Sequence, residues 1–70
     1  MMKTYEELKD MKKEETFDKD RWAWANFAKR LYSIGRTEAA DYFKAAANGE
    51  LKPEFKKIAW VMRTLKMENA

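Results

Sequence analysis

Residues that could catalyse a reaction are scarce in this 70-residue sequence, which contains no histidine and no cysteine. The chain therefore lacks the commonest general base and the most reactive nucleophile of enzymes. Ser33 is the only serine, and no obvious base lies beside it. Asp18 and Asp20 flank the start of an expected helix, where carboxylates cap backbone N–H groups. We therefore predict that the protein is not an enzyme and that it holds neither a metal ion nor a cofactor.

Trp60 and its basic neighbours are the clearest candidates for a binding surface. At about 100° per residue, Trp60 points away from the apolar stripe of its own helix. Its neighbours at helical spacing are Lys56, Lys57, Arg63 and Met67. An exposed tryptophan framed by cations has the composition of an interface hot spot, and the cations would select a protein partner with an acidic surface. The alternative is that the first helix or the back of the second covers Trp60, while the lysines extend into solvent.

Trp22 and Tyr32 raise the same question on the second helix, because both lie off its main apolar stripe. Together with Trp60 they place three large aromatic residues outside the stripes of a short chain. This pattern favours a protein partner, and a homodimer stays open as an alternative. All three are therefore candidate partner-binding residues.

The composition limits the class of protein. With 39% charged residues and no long apolar run, the chain has no transmembrane helix or signal peptide, so we predict a cytoplasmic protein that does not bind a membrane. Residues 1–20 carry five lysines and seven acidic residues, whereas residues 21–70 carry ten basic and five acidic residues. An acidic arm thus precedes a basic body, on which it could lie and compete with an acidic partner.

The first element to expect is a helix from Tyr5 to about Glu15. Thr4 and Glu7 form a capping-box pattern at its start. Its apolar content is thin, so this helix either docks on the body through Tyr5, Leu8 and Met11 or frays. We assign residues 1–16 to this charged arm, residues 17–67 to a helical core domain, and residues 68–70 to a disordered tail.

The second helix is expected from Asp20 to Ile34, and Phe17 lies where a hydrophobic staple would meet its first turn. Its apolar stripe consists of Ala23, Trp24, Phe27, Ala28, Leu31 and Ile34. Gly35 follows as a left-handed helix ending. The third helix should run from about Glu38 to Ala47 and bury a face of Ala39, Ala40, Tyr42, Phe43, Ala46 and Ala47.

The fourth helix should begin at Pro53 and continue to about Lys66. Its predicted apolar face consists of Phe55, Ile58, Ala59, Met62 and Leu65. We expect one core, formed by Phe27, Leu31, Phe43, Phe55, Ile58 and Met62. No alternation typical of strands is present, so the fold class is all-α, a small bundle of three core helices plus a weaker N-terminal helix.

Two comparisons bear on function. The second helix, the turn and the third helix have the order of a helix-turn-helix, but Glu38 and Asp41 would repel phosphates there. The same hairpin resembles one tetratricopeptide unit in the order of large, small and turn residues. The matching residues are Trp24, Phe27, Ala28, Leu31, Gly35, Ala39, Phe43, Ala46 and Pro53. This resemblance implies a protein- or peptide-binding role, and we interpret it as shared hairpin packing.

The sequence therefore predicts a small protein-binding module that regulates or inhibits a larger protein. The alternative is a small basic DNA- or RNA-binding protein that uses the hairpin.

Overall fold

The computed structural model describes residues 3–66, and every regular element within them is helical. The elements are α1 (Tyr5–Leu8), a short 3-10 helix (Lys13–Glu15), α2 (Lys19–Ser33), α3 (Thr37–Ala47) and α4 (Phe55–Thr64). The predicted fold class is confirmed, because three substantial helices pack together with a shorter N-terminal one. The tail predicted to be disordered, residues 68–70, lies outside the described residues.

α2 and α3 form the most closely packed helix pair in the described part of the chain. The carboxylate of Asp18 caps α2 by accepting a hydrogen bond from the backbone N–H of Arg21 at 3.1 Å. The predicted turn after α2 is confirmed, since Gly35 has a φ of 81° in the left-handed region. Beyond it, the N–H of Arg36 donates to the carbonyl of Leu31 at 2.9 Å, which is the closing bond of a Schellman helix ending.

Alanines and aromatic residues fill the interface between α2 and α3. Ala28 and Ala40 are completely buried, which lets the two helix backbones approach closely. Phe27 and Phe43 meet edge to face with ring centroids 5.6 Å apart. The core consists of Tyr5, Leu8, Ala25, Phe27, Ala28, Leu31, Ala40, Phe43, Ala47 and Val61.

The N-terminal segment is part of this core. Tyr5 and Leu8 are buried, and the backbone N–H of Tyr5 donates to the Asn48 side-chain carbonyl at 2.7 Å. Arg21 joins the segment to the end of α3, because its Nε donates to the carbonyl of Ala47 at 2.7 Å and its guanidinium also donates to the carbonyl of Lys3. Of the two outcomes left open for the arm, docking is therefore the one observed.

The predicted extent of the first helix was wrong. α1 ends at Leu8, and the chain resumes a helical conformation only in the 3-10 helix. Met11 is the one apolar residue between them, so a longer helix would bury little. Instead, the carbonyl of Met11 accepts a hydrogen bond from the indole Nε1 of Trp22 at 2.8 Å.

The face on which α4 is buried also differs from the prediction. Val61 is 0% exposed and belongs to the core, whereas Phe55, predicted to be a core residue, is 82% exposed. Ile58 and Met62 are partly buried and pack against the core. The buried side of α4 is therefore shifted from the predicted face toward Val61, while Ile58, Met62 and Leu65 belong to both.

Two further expectations at helix ends were wrong. Phe17 forms no hydrophobic staple, because its side chain is fully exposed. Ile34 is 52% exposed, since it follows the last helical residue of α2 and its side chain leaves the stripe. Among the described residues, no helix is both long and apolar enough to cross a membrane.

Candidate binding groove between α3 and α4

An open groove runs between α3 and α4. Its volume of about 790 Å³ is in the range of ligand-binding clefts. Its lining residues are Glu38, Ala39, Tyr42, Phe43, Glu54, Lys56, Lys57, Trp60 and Arg63. A smaller depression of about 330 Å³ continues it toward the α2–α3 turn, shares Glu38, Ala39 and Trp60, and adds Gly35, Arg36 and Thr37. We refer to the two together as the α3–α4 groove.

Trp60 lies where the two parts of the groove meet. Its side chain is partly buried and packs against the hydrophobic core, so part of the indole remains accessible. The guanidinium of Arg36 lies 5.9 Å from the centroid of the indole ring, a cation–π contact from the turn before α3. The open side of Trp60 is lined by α3, α4 and the turn before α3, without a residue of α1 or α2.

Tyr42 connects α3 to the start of α4 on the other side of the groove. Its hydroxyl oxygen accepts a hydrogen bond from the backbone N–H of Glu54 at 2.9 Å. The ammonium of Lys57 lies 5.3 Å from the centroid of the Tyr42 ring. The ring of Tyr42 also meets Phe43 edge to face at 5.2 Å, which ties the groove to the core. An aromatic residue is therefore held in place on each of the two helices.

The groove carries more positive than negative charge. Lys56, Lys57, Arg63 and Arg36 line it, against the two carboxylates Glu38 and Glu54. Within residues 3–66, ion pairs are confined to Lys9 with Glu6 and Asp10, so no carboxylate neutralises the groove cations there. A carboxylate brought to this rim would meet cations that make no competing ion pair in the described fold.

The structure brings together four of the seven residues selected from the sequence as partner-binding candidates. Lys56, Lys57, Trp60 and Arg63 all line the groove. Met67, a fifth candidate, lies outside the described residues. These residues cluster around Trp60 because Lys56, Lys57 and Arg63 lie about one helical turn before or after it on α4.

Trp22 and Tyr32 do not line the groove, and both have partners within the fold. Trp22 donates its indole N–H to the carbonyl of Met11, which holds the N-terminal segment against α2. Tyr32 donates its hydroxyl to Asp41 on α3 and meets Tyr5 edge to face at 6.2 Å. The hydrogen bond to Asp41 raises the pKa of Tyr32 to about 12. The positions of both residues are explained by contacts within the chain.

Sequence reasoning missed the contributions of Arg36 and Tyr42 to the groove. Tyr42 was expected on the buried face of α3, and it is indeed partly buried, but its ring also forms a wall of the groove. The available signal was its amphipathic character, because a tyrosine at the edge of a buried face often keeps its hydroxyl near the surface. Arg36 follows the turn glycine, and only the tertiary structure brings it to Trp60.

The groove does not have the donor set of a metal site. No group of three His, Cys, Asp or Glu side chains that could hold a metal ion occurs in residues 3–66.

Comparison with known proteins finds no matching family model, no similar curated protein and no similar solved structure. The geometry of the groove is therefore the basis for the functional argument.

Proposed function

We propose that this protein is a small cytoplasmic, non-enzymatic binding module that regulates or inhibits a larger protein through the α3–α4 groove. The observation that carries the proposal is the partly exposed indole of Trp60 in an open groove whose cations lack carboxylate partners in the described fold. The partner would present an apolar side chain to Trp60 and Tyr42 and place carboxylates next to the cations.

The physical chemistry of the groove supports a protein segment as the ligand. Large aromatic residues gain contact area on binding at little entropic cost, because they have only two side-chain torsions. Trp60 and Tyr42 are already restrained by the fold, so little further ordering is needed when a partner binds. The surrounding cations would increase the association rate and favour an acidic partner.

Two features of the groove favour a protein over a nucleic acid. Glu38 and Glu54 contribute carboxylates to its lining, and these would repel a phosphate backbone. Asp41 is also exposed on α3, the helix that would read bases in a helix-turn-helix. Nucleic-acid binding therefore remains the alternative that the experiment must distinguish.

A titration with two acidic peptides and one oligonucleotide tests the proposal. The first peptide carries a single phenylalanine among glutamates, the second replaces that phenylalanine with alanine, and the third probe is single-stranded DNA. We expect the first peptide to bind more tightly than the second by at least about tenfold, with the indole N–H resonance of Trp60 shifting in the NMR spectrum. Stronger binding of DNA, with a steep loss in salt, would favour the alternative function.

Variants identify the site. Lys56→Glu changes an exposed groove residue and should weaken the phenylalanine peptide, mainly by slowing association. Lys12→Glu makes the same charge change at an exposed position outside the groove and should have a much smaller effect. Trp60→Ala should abolish binding, and because this side chain is partly buried and packs against the core, it should also lower stability. Equal effects of Lys56→Glu and Lys12→Glu would exclude the groove as the site.

A further inference from the structure

The loop before α2 presents a phenylalanine to solvent. Phe17 is fully exposed, although its neighbour Thr16 is buried and only 7% exposed. The hydroxyl oxygen of Thr16 accepts a hydrogen bond from the backbone N–H of Asp18 at 3.2 Å, and Asp18 in turn caps α2. The fold therefore holds the backbone on one side of Phe17 and directs the aromatic ring outward. A phenylalanine held outward on an ordered loop is available for insertion into the groove of a partner.

The residues around Phe17 make this loop acidic. Four exposed carboxylates lie within three residues of it: Glu14, Glu15, Asp18 and Asp20. The two lysines in the same stretch are Lys13 and Lys19, and the ammonium of Lys19 donates to the carbonyl of Lys13 at 2.6 Å. The segment from Lys13 to Asp20, which includes the 3-10 helix and the first two residues of α2 and which we call the Phe17 loop, thus has the chemistry required of a ligand for the α3–α4 groove.

We infer that a second copy of this chain binds the groove by inserting Phe17 between Trp60 and Tyr42, with the carboxylates of the Phe17 loop next to the groove cations. This inference rests on the proposed function of the groove and names one ligand for it. A groove of about 790 Å³ has room for a single aromatic side chain. The charges of the two surfaces are opposite, which favours their encounter in one orientation.

The interface must be formed between different surfaces of the two copies. Phe17 borders a separate depression with Leu8, Thr16 and Arg21, and this depression shares no lining residue with the groove. Each copy therefore offers one loop and one groove, so the contact joins unlike surfaces, either reciprocally in a two-fold dimer or head to tail. A symmetric contact of groove against groove is disfavoured, because it would place Lys56, Lys57 and Arg63 against the same cations of the other copy.

Sedimentation equilibrium of the full chain and its variants tests this inference. One buried aromatic ring and a few charges predict weak association, with a dissociation constant on the order of 100 µM. We expect Phe17→Ser and Trp60→Ala each to weaken self-association by at least about tenfold. Phe55→Ser is the matched control, because it removes a second exposed phenylalanine that does not line the groove, and it should associate like the parent.

A mixing experiment is the decisive measurement. Phe17→Ser retains the groove and Trp60→Ala retains the loop, so an equimolar mixture should form a one-to-one dimer that neither variant forms alone. If Trp60→Ala does not fold, Lys56→Glu replaces it. Glu14→Lys should also weaken association, and it should not disturb the fold, because Glu14 makes no side-chain hydrogen bond or ion pair among the described residues. Mixing Glu14→Lys with Lys56→Glu should restore association, because the two charges are then exchanged between loop and groove.

The outcomes separate this inference from the proposed function. A parent protein that remains monomeric at about 1 mM, or a mixture that forms no heterodimer, would overturn self-docking. If the acidic phenylalanine peptide still binds under those conditions, the groove remains a binding site for another protein. If neither the peptide nor a second copy binds, the proposed function fails together with the inference.

Discussion

Replacing Val61 with alanine tests which face of α4 is buried. Val61 is 0% exposed, so the substitution removes two fully buried methyl groups. At about 0.8 kcal/mol per buried carbon, and with an additional contribution from the cavity left behind, we expect a loss of about 2–3 kcal/mol. This is a large part of the stability available to a domain of this size, which is about 3–5 kcal/mol.

Phe55→Ala is the matched control on the same helix. This phenylalanine is larger than valine but 82% exposed, so its replacement should change stability by at most about 0.5 kcal/mol. Replacing the smaller side chain should therefore cause the larger loss of stability, which is the opposite of what side-chain size alone predicts. The midpoint of thermal unfolding should fall by about 10–20 °C for Val61→Ala and by at most about 4 °C for Phe55→Ala.

Urea unfolding followed by circular dichroism measures both values as free energies. Similar slopes of free energy against urea concentration for parent and variants would show that unfolding exposes comparable surface in each, and the midpoints are then directly comparable. A larger loss for Phe55→Ala than for Val61→Ala would refute the orientation of α4 described here. The groove would then also have to be revised, because the observed orientation of α4 is the one that places Trp60 in its lining.

Three further predictions concern the rest of the fold. Leu31→Ala should reduce the free energy of unfolding by about 2–5 kcal/mol in urea titrations, because Leu31 is 0% exposed, and an unchanged midpoint would contradict its place in the core. Deleting residues 1–15 should destabilise or unfold the protein in thermal melts, because this segment contributes Tyr5 to the core. A deletion variant that melts like the parent and binds an anionic peptide more tightly would instead support an autoinhibitory arm. The pKa of Tyr32 is raised from 10.0 to about 12 by its hydrogen bond to Asp41, so the stability that its protonated hydroxyl contributes is fully present below pH 10 and is lost as the pH rises toward 12. Tyr32→Phe should therefore lose less stability over that pH range than the parent does, and equal losses would show that the pair makes no contribution.

The helical hairpin was predictable from the sequence because its signals agree with one another. The stripe of α2, the glycine at position 35 and the alanine-rich face of α3 all indicate the same arrangement. The structure confirms the glycine turn and the face of α3, and it confirms the stripe of α2 at Phe27, Ala28 and Leu31 but not at Ile34. These signals depend on residues close together in the sequence, so they can be interpreted without knowing how distant parts of the chain pack. Phe27, Leu31 and Phe43 were accordingly assigned to the core correctly.

The orientation of α4 was not predictable because its sequence contains two apolar stripes. The predicted stripe is Phe55, Ile58, Ala59, Met62 and Leu65, and a second stripe at equally regular spacing is Ile58, Val61 and Leu65. Only the shape of the α2–α3 hairpin decides between them. The packing of α4 on this hairpin leaves Phe55 exposed and brings Trp60 next to Arg36. The wrong assignment of Phe55 and the missed contribution of Arg36 to the groove therefore have the same physical origin.

The path of the N-terminal segment was unpredictable for a related reason. A capping box correctly indicated where α1 begins, but nothing in residues 9–15 indicates that Trp22 would take the carbonyl of Met11 as its hydrogen-bond acceptor. Such a bond depends on a surface that exists only after α2 has packed. The exposure of Phe17 follows from the same arrangement, because the chain leaves the core immediately after Thr16.

The attachment of the first residues to the end of α3 has a consequence for the order in which the chain folds during synthesis. The acceptor for the backbone N–H of Tyr5 is Asn48, which leaves the ribosome 43 residues later, and Arg21 must wait for Ala47 in the same way. Closing such a long loop is slow compared with forming a helical hairpin from neighbouring residues. The part of the chain that is translated first therefore cannot complete its native contacts until α2 and α3 have assembled the surface that receives it.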